Sequence, residues 1–154
     1  HGQGSILGLY TGGSLASEAK VVFARAGVPH DRYRVVDLGD DEYTVGRPHP
    51  MISPDLRGEW IATLAPDVSV LLLDVVLGLG SHPDPAGALV EPIAAAHHRT
   101  DAVPLTVIAS VTGTDSDAQG RQRQIATLRA AGVVVAPSNA VAAQWAAACL
   151  EGIR

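Results

Sequence analysis

The stretch Val68-Ser69-Val70-Leu71-Leu72-Leu73-Asp74-Val75-Val76 decides the fold. It is aliphatic at almost every position, with Pro66-Asp67 before it and Gly78 and Gly80 after it. A strand apolar on both alternating sides has no solvent face, and such strands belong to parallel sheets covered by helices above and below. Asp74 is its one charge, placed near the carboxyl end. Neither this stretch nor any other apolar run approaches the roughly 20 residues of a membrane span.

Working outward toward the amino terminus, Ile6 to Tyr10 is a short apolar run that ends in Thr11-Gly12-Gly13-Ser14. It leads into Leu15 to Ala26, where Leu15, Ala19, Val22, Phe23 and Ala26 recur at helical spacing. Gly27 is the expected cap, and Tyr33 to Leu38 alternates as a second strand. Gly39 to Ser53 has no period and exceeds the roughly 12 residues beyond which loops of compact domains are usually functional. Ser53-Pro54-Asp55 starts a helix with Leu56, Trp60, Ile61 and Leu64 on one face, stopping by Pro66.

Beyond the central strand come a loop from Leu77 to Asp84, a helix from Pro85 to His98 and a strand from Leu105 to Val111. A loop from Thr112 to Gly120, a helix to Ala131, a strand from Val133 to Ala136 and a helix from Ser138 complete the chain. Five strands alternating with five helices require right-handed crossovers, which predicts an α/β protein. The expected architecture is three-layer α/β/α with a flavodoxin-like, five-stranded parallel sheet of order 2-1-3-4-5, its ligands at the carboxyl ends of the strands. Residues 6–154 read as one domain, and residues 1–5 as a tag or linker remnant.

Composition narrows the function. With 47% hydrophobic and 18% charged residues, 154 residues suffice for one core. Lys+Arg 11 against Asp+Glu 16 leaves a net charge of −5, and Lys20 is the sole lysine, so no basic stripe exists to neutralise a nucleic-acid backbone. The single cysteine, Cys149, has no disulfide partner and no metal-type spacing, which predicts a cytoplasmic protein.

The loops assigned to the carboxyl edge carry the small and polar groups, whereas Val28 to Arg32 and Arg99 to Pro104 at the other edge read as plain turns. Thr11-Gly12-Gly13-Ser14 lets the backbone approach a ligand, and the following helix offers free N–H groups and a positive dipole end to an anion. A tight turn with a serine cap is the alternative, since neither G-x-G-x-x-G nor a Walker loop is present. Ser138-Asn139 opens the last helix in the same manner, as donors or as a cap. In Gly46-Arg47-Pro48-His49-Pro50, flanking prolines restrict His49, and Arg47 suits a phosphate or carboxylate; ordering of the loop against Asp40 or Asp41 is the alternative. Asp74, His49, His82 and Asp84 suggest a metal site only by composition, because their spacing matches no ligand motif; no metal is expected, and Asp74 instead suits loop N–H donors.

These residues carry a resemblance. Gly8 to Leu15 with Glu18-Ala19, Asp37 to Ile52 with its Gly-Arg-Pro-His-Pro-Met-Ile run, Leu73 to Gly78 with His82-Pro83-Asp84-Pro85-Ala86, and Ala109 to Thr114 with Ala136 to Asn139 resemble the FdrA proteins of the acyl-CoA synthetase superfamily. More distantly the chain is similar to the ligase domain of the succinyl-CoA synthetase alpha subunit, which follows a CoA-binding domain. The resemblance implies a domain from a longer protein, partnered by an amino-terminal CoA-binding-type domain and compatible with a homo-oligomer. No cofactor is expected in this part, with CoA or a phosphorylated substrate bound by the full-length protein.

In the synthetases a Gly-Thr-Leu-x-x-Glu segment opens a helix that holds the phosphate of a phosphohistidine; Gly13, Ser14, Leu15 and Glu18 match that pattern. The resemblance thus implies the phosphate-binding half of an acyl-CoA synthetase active site. Gly12, Gly13 and Ser14 bind the anion, Ser138 and Asn139 add donors, Arg47 neutralises charge, and His49 transfers a proton or phosphate beside Glu18. Where the synthetases carry the phosphorylated histidine, this chain reads Val111 to Gly120 with none. Two alternatives follow from that departure: a carbamoyl-transferring enzyme of oxamate and allantoin breakdown, which needs no phosphohistidine, or a catalytically inert interaction domain.

Overall fold

The computed structural model describes residues 4–151. Its strands β1 (Ser5–Tyr10), β2 (Tyr33–Asp37), β3 (Val68–Val76), β4 (Thr106–Thr112) and β5 (Val134–Ala136) form one sheet in the order β2-β1-β3-β4-β5. Every pairing is parallel. The helices are α1 (Gly13–Arg25), the single turn α2 (Asp41–Thr44), α3 (Asp55–Ala62), α4 (Val90–His97), α5 (Arg121–Ala130) and α6 (Asn139–Glu151). The expected flavodoxin-like α/β architecture and strand order are those observed.

β3 organises both cores. From Val70 to Val75 every residue is buried, and the alternation of side chains divides them between faces. Leu71, Leu73 and Val75 join Ile61 of α3, Ile93 of α4 and Leu128 of α5 in one cluster. Val70 and Leu72 join Ala19 and Phe23 of α1 and the alanines of α6 in the other. α1 and α6 therefore cover one face and α3, α4 and α5 the opposite one. No helix among the described residues is long and apolar enough to cross a membrane.

α1 ends as its sequence predicts. Gly27 takes φ +72°, its N–H reaches Ala24 O, and the Val28 N–H reaches Phe23 O, so the orphan carbonyls of the last turn are satisfied through a left-handed glycine. Other boundaries moved. Ser5, placed in the terminal remnant, pairs with Val68 as the first residue of β1, while His1, Gly2 and Gln3 lie outside the described residues. The Gly39 to Ser53 loop contains α2, whose Tyr43 meets Trp60 edge-on at 5.9 Å. The helix expected from Pro85 begins at Val90 after a 3-10 turn at Gly87–Leu89. The Ala86 N–H is held by Gln124 Oε1 and the Gly87 N–H by Asp84 Oδ1. Such side-chain acceptors give the backbone an alternative to the helix.

The Arg99 to Pro104 connection is not a plain turn. Arg99 donates to the carbonyls of Ala65, Val68 and Val103, and the Val103 N–H reaches Pro66 O at 2.9 Å. One guanidinium thus ties the entry of β3 to the entry of β4.

Candidate functional site

The order 2-1-3-4-5 reverses direction between β1 and β3, and the crevice at that switch point is where ligands of open α/β sheets bind. There the sheet turns polar. Cross-strand register pairs Asp37 with Tyr10, and Asp74 with Ser110 and Ser110 with Ala136, and the Leu9–Leu73 pair of β1 and β3 places Tyr10 and Asp74 one step further along the same row. Tyr10, Asp74 and Ser110 are buried, and Ser110 Oγ has no hydrogen-bond partner among the described residues.

Asp74 is the centre of that row and is fully saturated. It accepts from Thr11 N (2.9 Å), Thr11 Oγ1 (3.1 Å), Gly12 N (2.9 Å) and Arg57 Nη1 (2.9 Å). The same Arg57 nitrogen donates to the carbonyls of Leu9 and Asp74. Burial pulls the Arg57 guanidinium below its ordinary value, and the Asp74 charge opposes that shift. The expectation that Asp74 serves loop N–H donors agrees with this geometry. No group of three His, Cys, Asp or Glu side chains among the described residues is placed to hold a metal ion.

Held in this way, the β1–α1 turn presents the first turn of α1 to solvent. The Gly12 N–H, expected to bind an anion, is instead turned inward to Asp74. The first α-helical bond runs from Ala16 N to Gly12 O, so the N–H groups of Gly13, Ser14 and Leu15 have no partner among the described residues. Gly12 caps without a side-chain bond, and the first turn contains no acid. Besides Asp74, a second carboxylate stands close to the turn: a Cβ on Gly13 would lie 2.9 Å from Asp37 Oδ2.

α6 starts beside this turn. Asn139 Nδ2 donates to Leu15 O (2.9 Å) and Glu18 Oε1 (2.8 Å), while Asn139 Oδ1 accepts from the buried Tyr10 hydroxyl (3.0 Å). Asn139, Glu18 and the α1 turn are thus brought together, but the Asn139 amide is engaged rather than free. Ser138 Oγ accepts from the Val141 N–H, the cap expected as the alternative to a ligand donor. Burial, with the charges of Asp74 and Glu18, pushes Tyr10 far above the ordinary tyrosine range.

His49 belongs to the same neighbourhood. Its Nδ1 accepts from Met51 N at 3.1 Å, which leaves the proton on Nε2. The Nε2 side lies over Gly39, where any Cβ would come within 2.5 Å of it and 3.0 Å of Thr11 O. Gly39 is therefore required by close approach. Arg47 is elsewhere, its Nη1 paired with Glu59 Oε2 of α3 at 3.0 Å on the exposed surface. His82 uses its Nδ1 to accept from Asp84 N, and the Met51 carbonyl accepts from the His82 N–H, tying the two carboxyl-edge loops together.

A groove of about 580 Å³ opens at the other edge of the sheet. It lies between the starts of β1 and β2 and the end of α3, where the Arg34 guanidinium stands 5.0 Å from the Trp60 ring. The eight-residue α3 is too short to cover the starts of those strands. Sequence reasoning missed this groove, and it missed Arg57. The signal for Arg57 was present: it precedes Ile61 by four residues and Leu64 by seven, on the apolar stripe of its own helix.

The CoA-ligase family model matches residues 9–149 of this chain. Among curated proteins, the uncharacterized protein YahF of Escherichia coli (strain K12) is 36% identical over 156 residues, covering 87% of this chain and 30% of that protein. Among solved structures, a Methanosaeta concilii ATP citrate lyase variant in complex with (3S)-citryl-CoA has a similar fold. The TM-score is 0.61 at 17% identity, covering 98% of this chain and 25% of the lyase chain. The chain spans less than a third of the length of either.

Proposed function

Because the chain belongs to the CoA-ligase family, we propose that the carboxyl edge of its sheet is the phosphate-binding half of an acyl-CoA synthetase active site of the FdrA type. The observation that carries this reading is the first turn of α1. Three N–H groups without partners among the described residues, on a helix with no capping side chain and no acid in its first turn, stand at the switch point of the sheet. Aligned N–H groups and the positive dipole end suit a phosphoryl group.

In this reading Gly13 and Ser14 bind the anion, with Leu15 taking the place of the inward-turned Gly12. Glu18 and Asn139 border the anion and Ser138 stays a helix cap. His49, over Gly39 and beside Thr11, transfers a proton or phosphate. Arg47 neutralises charge after exchanging Glu59 for the ligand, an inexpensive step because exposed ion pairs are worth only about 0–1 kcal/mol. CoA and the amino-terminal CoA-binding-type domain belong to the longer protein, and the setting is cytoplasmic. One observation favours carbamoyl transfer as the second reading. The loop after β4 contains no imidazole, and its Asp115 and Asp117 carboxylates are spent on the N–H groups of Gln122 and Thr114.

Calorimetric titration of the chain with inorganic phosphate and with carbamoyl phosphate tests the cradle. Saturable binding that disappears in Gly13→Val, with the fold checked by circular dichroism, is the expected result. Absence of binding at millimolar ligand overturns a cradle within this chain. Binding of carbamoyl phosphate alone selects the second reading.

A further inference from the structure

Asn139 joins two helices that are far apart in sequence, and its amide has a single consistent orientation. Were its oxygen and nitrogen exchanged, the oxygen would face Leu15 O and Glu18 Oε1, two acceptors, at 2.9 and 2.8 Å. The observed orientation satisfies both amide hydrogens and accepts from a tyrosine hydroxyl sealed in the core. Glu18 is otherwise an exposed side chain with free rotamers, so this one bond selects its position. In a helix a long side chain leans toward the amino end, which directs the Glu18 carboxylate back toward the first turn.

We propose that Asn139 is a positioning residue: locked by the Tyr10 hydroxyl, it holds the Glu18 carboxylate as a fixed hydrogen-bond acceptor beside the N–H donors of Gly13 and Ser14. This rests on the α1 turn being the anion site. Its consequence is specificity. N–H donors alone take any compact anion, whereas donors with one fixed carboxylate favour an anion that also carries a hydrogen to give, and disfavour one whose oxygens are all bare or blocked. The preferred ligand class is a phosphoryl group bearing an O–H or N–H donor.

The test uses two readouts on the same chain. In heteronuclear NMR the Asn139 side-chain amide protons should move when Glu18 becomes alanine, an exposed change that spares the core, and again in Tyr10→Phe. In calorimetry at pH 8 the chain should bind inorganic phosphate, which keeps one P–OH, about fivefold more tightly than methyl phosphate, which has none; that is the worth of one ordinary net hydrogen bond. The ratio should fall toward one in Glu18→Ala and Asn139→Ala. A role limited to packing α1 against α6 would lower thermal stability and leave the ratio unchanged. Asn139 amide resonances indifferent to Glu18→Ala overturn the positioning role, whether or not phosphate binds. Resonances that respond while neither anion binds uphold the Tyr10–Asn139–Glu18 chain and overturn the anion site alone. A ratio unchanged by both variants overturns the specificity.

Discussion

Asp37 is the residue whose charge most directly opposes the proposed ligand. Its Oδ2 lies close to Gly13 while its Oδ1 accepts the Gly39 N–H at 2.9 Å, so the carboxylate competes for the positive end of α1. Asp37→Asn keeps an oxygen for Gly39 and removes the charge. Phosphate affinity should rise severalfold, reflecting the roughly 0.3–1 kcal/mol that one charge exchanges with a helix end, as read by calorimetry. Unchanged or weaker binding would place the ligand elsewhere. That Gly13 and Ser14 open a helix after β1 was legible from sequence because glycine and serine at a βα turn are local signals. The inward turn of the Gly12 N–H was not, because its acceptor, Asp74, lies 62 residues away.

At the scale of elements, the buried Arg57–Asp74 pair holds α3, β3 and the β1–α1 turn in one arrangement. Removing either partner leaves the other charge buried and uncompensated, so Arg57→Met or Asp74→Asn should each cost about 3–5 kcal/mol in urea unfolding. The double variant should cost clearly less than the sum of the two, since neither charge then remains. An additive result would deny that the pair acts as a unit. At the other edge, Arg99→Ala frees three carbonyls at the entries of β3 and β4. Roughly 1–3 kcal/mol should be lost, visible as a lower thermal midpoint with phosphate binding unaffected. The partners of both arginines are mainly backbone carbonyls, which leave no mark on sequence, so for Arg57 only its place on the apolar stripe of α3 signalled burial.

For the molecule as a whole, alkaline pH tests the buried tyrosine. Tyr10 titrates far above 10.0 in the folded state, so the folded chain retains a proton that the unfolded chain loses above pH 10. The stability this contributes is complete below about pH 10 and declines as pH rises beyond it, by up to about 1.4 kcal/mol per pH unit. Burial also pushes the Cys149 thiol up, in the same direction. Tyr10→Phe should lose about 1 kcal/mol at neutral pH with its hydrogen bond, yet show a shallower decline between pH 10 and 11 than the parent chain. Parallel declines in urea midpoint would mean that Tyr10 does not remain protonated in the folded state.

The sequence by itself determined the fold class, the strand order and the edge bearing the small and polar loops. Those depend on periodicities of two and 3.6, on glycine and proline at turns, and on a central strand apolar at nearly every position, all properties of contiguous residues. Only the tertiary structure decided how the candidate site is built: that Asp74 is consumed by Arg57 and the β1–α1 turn, that Asn139 faces Glu18 and Tyr10, that His49 lies over Gly39, and that Arg47 pairs with Glu59. The physical reason is that side-chain hydrogen bonds and ion pairs are satisfied by whichever donors and acceptors packing brings within about 3 Å. In this fold most of those partners come from other elements of the sheet and its covering helices.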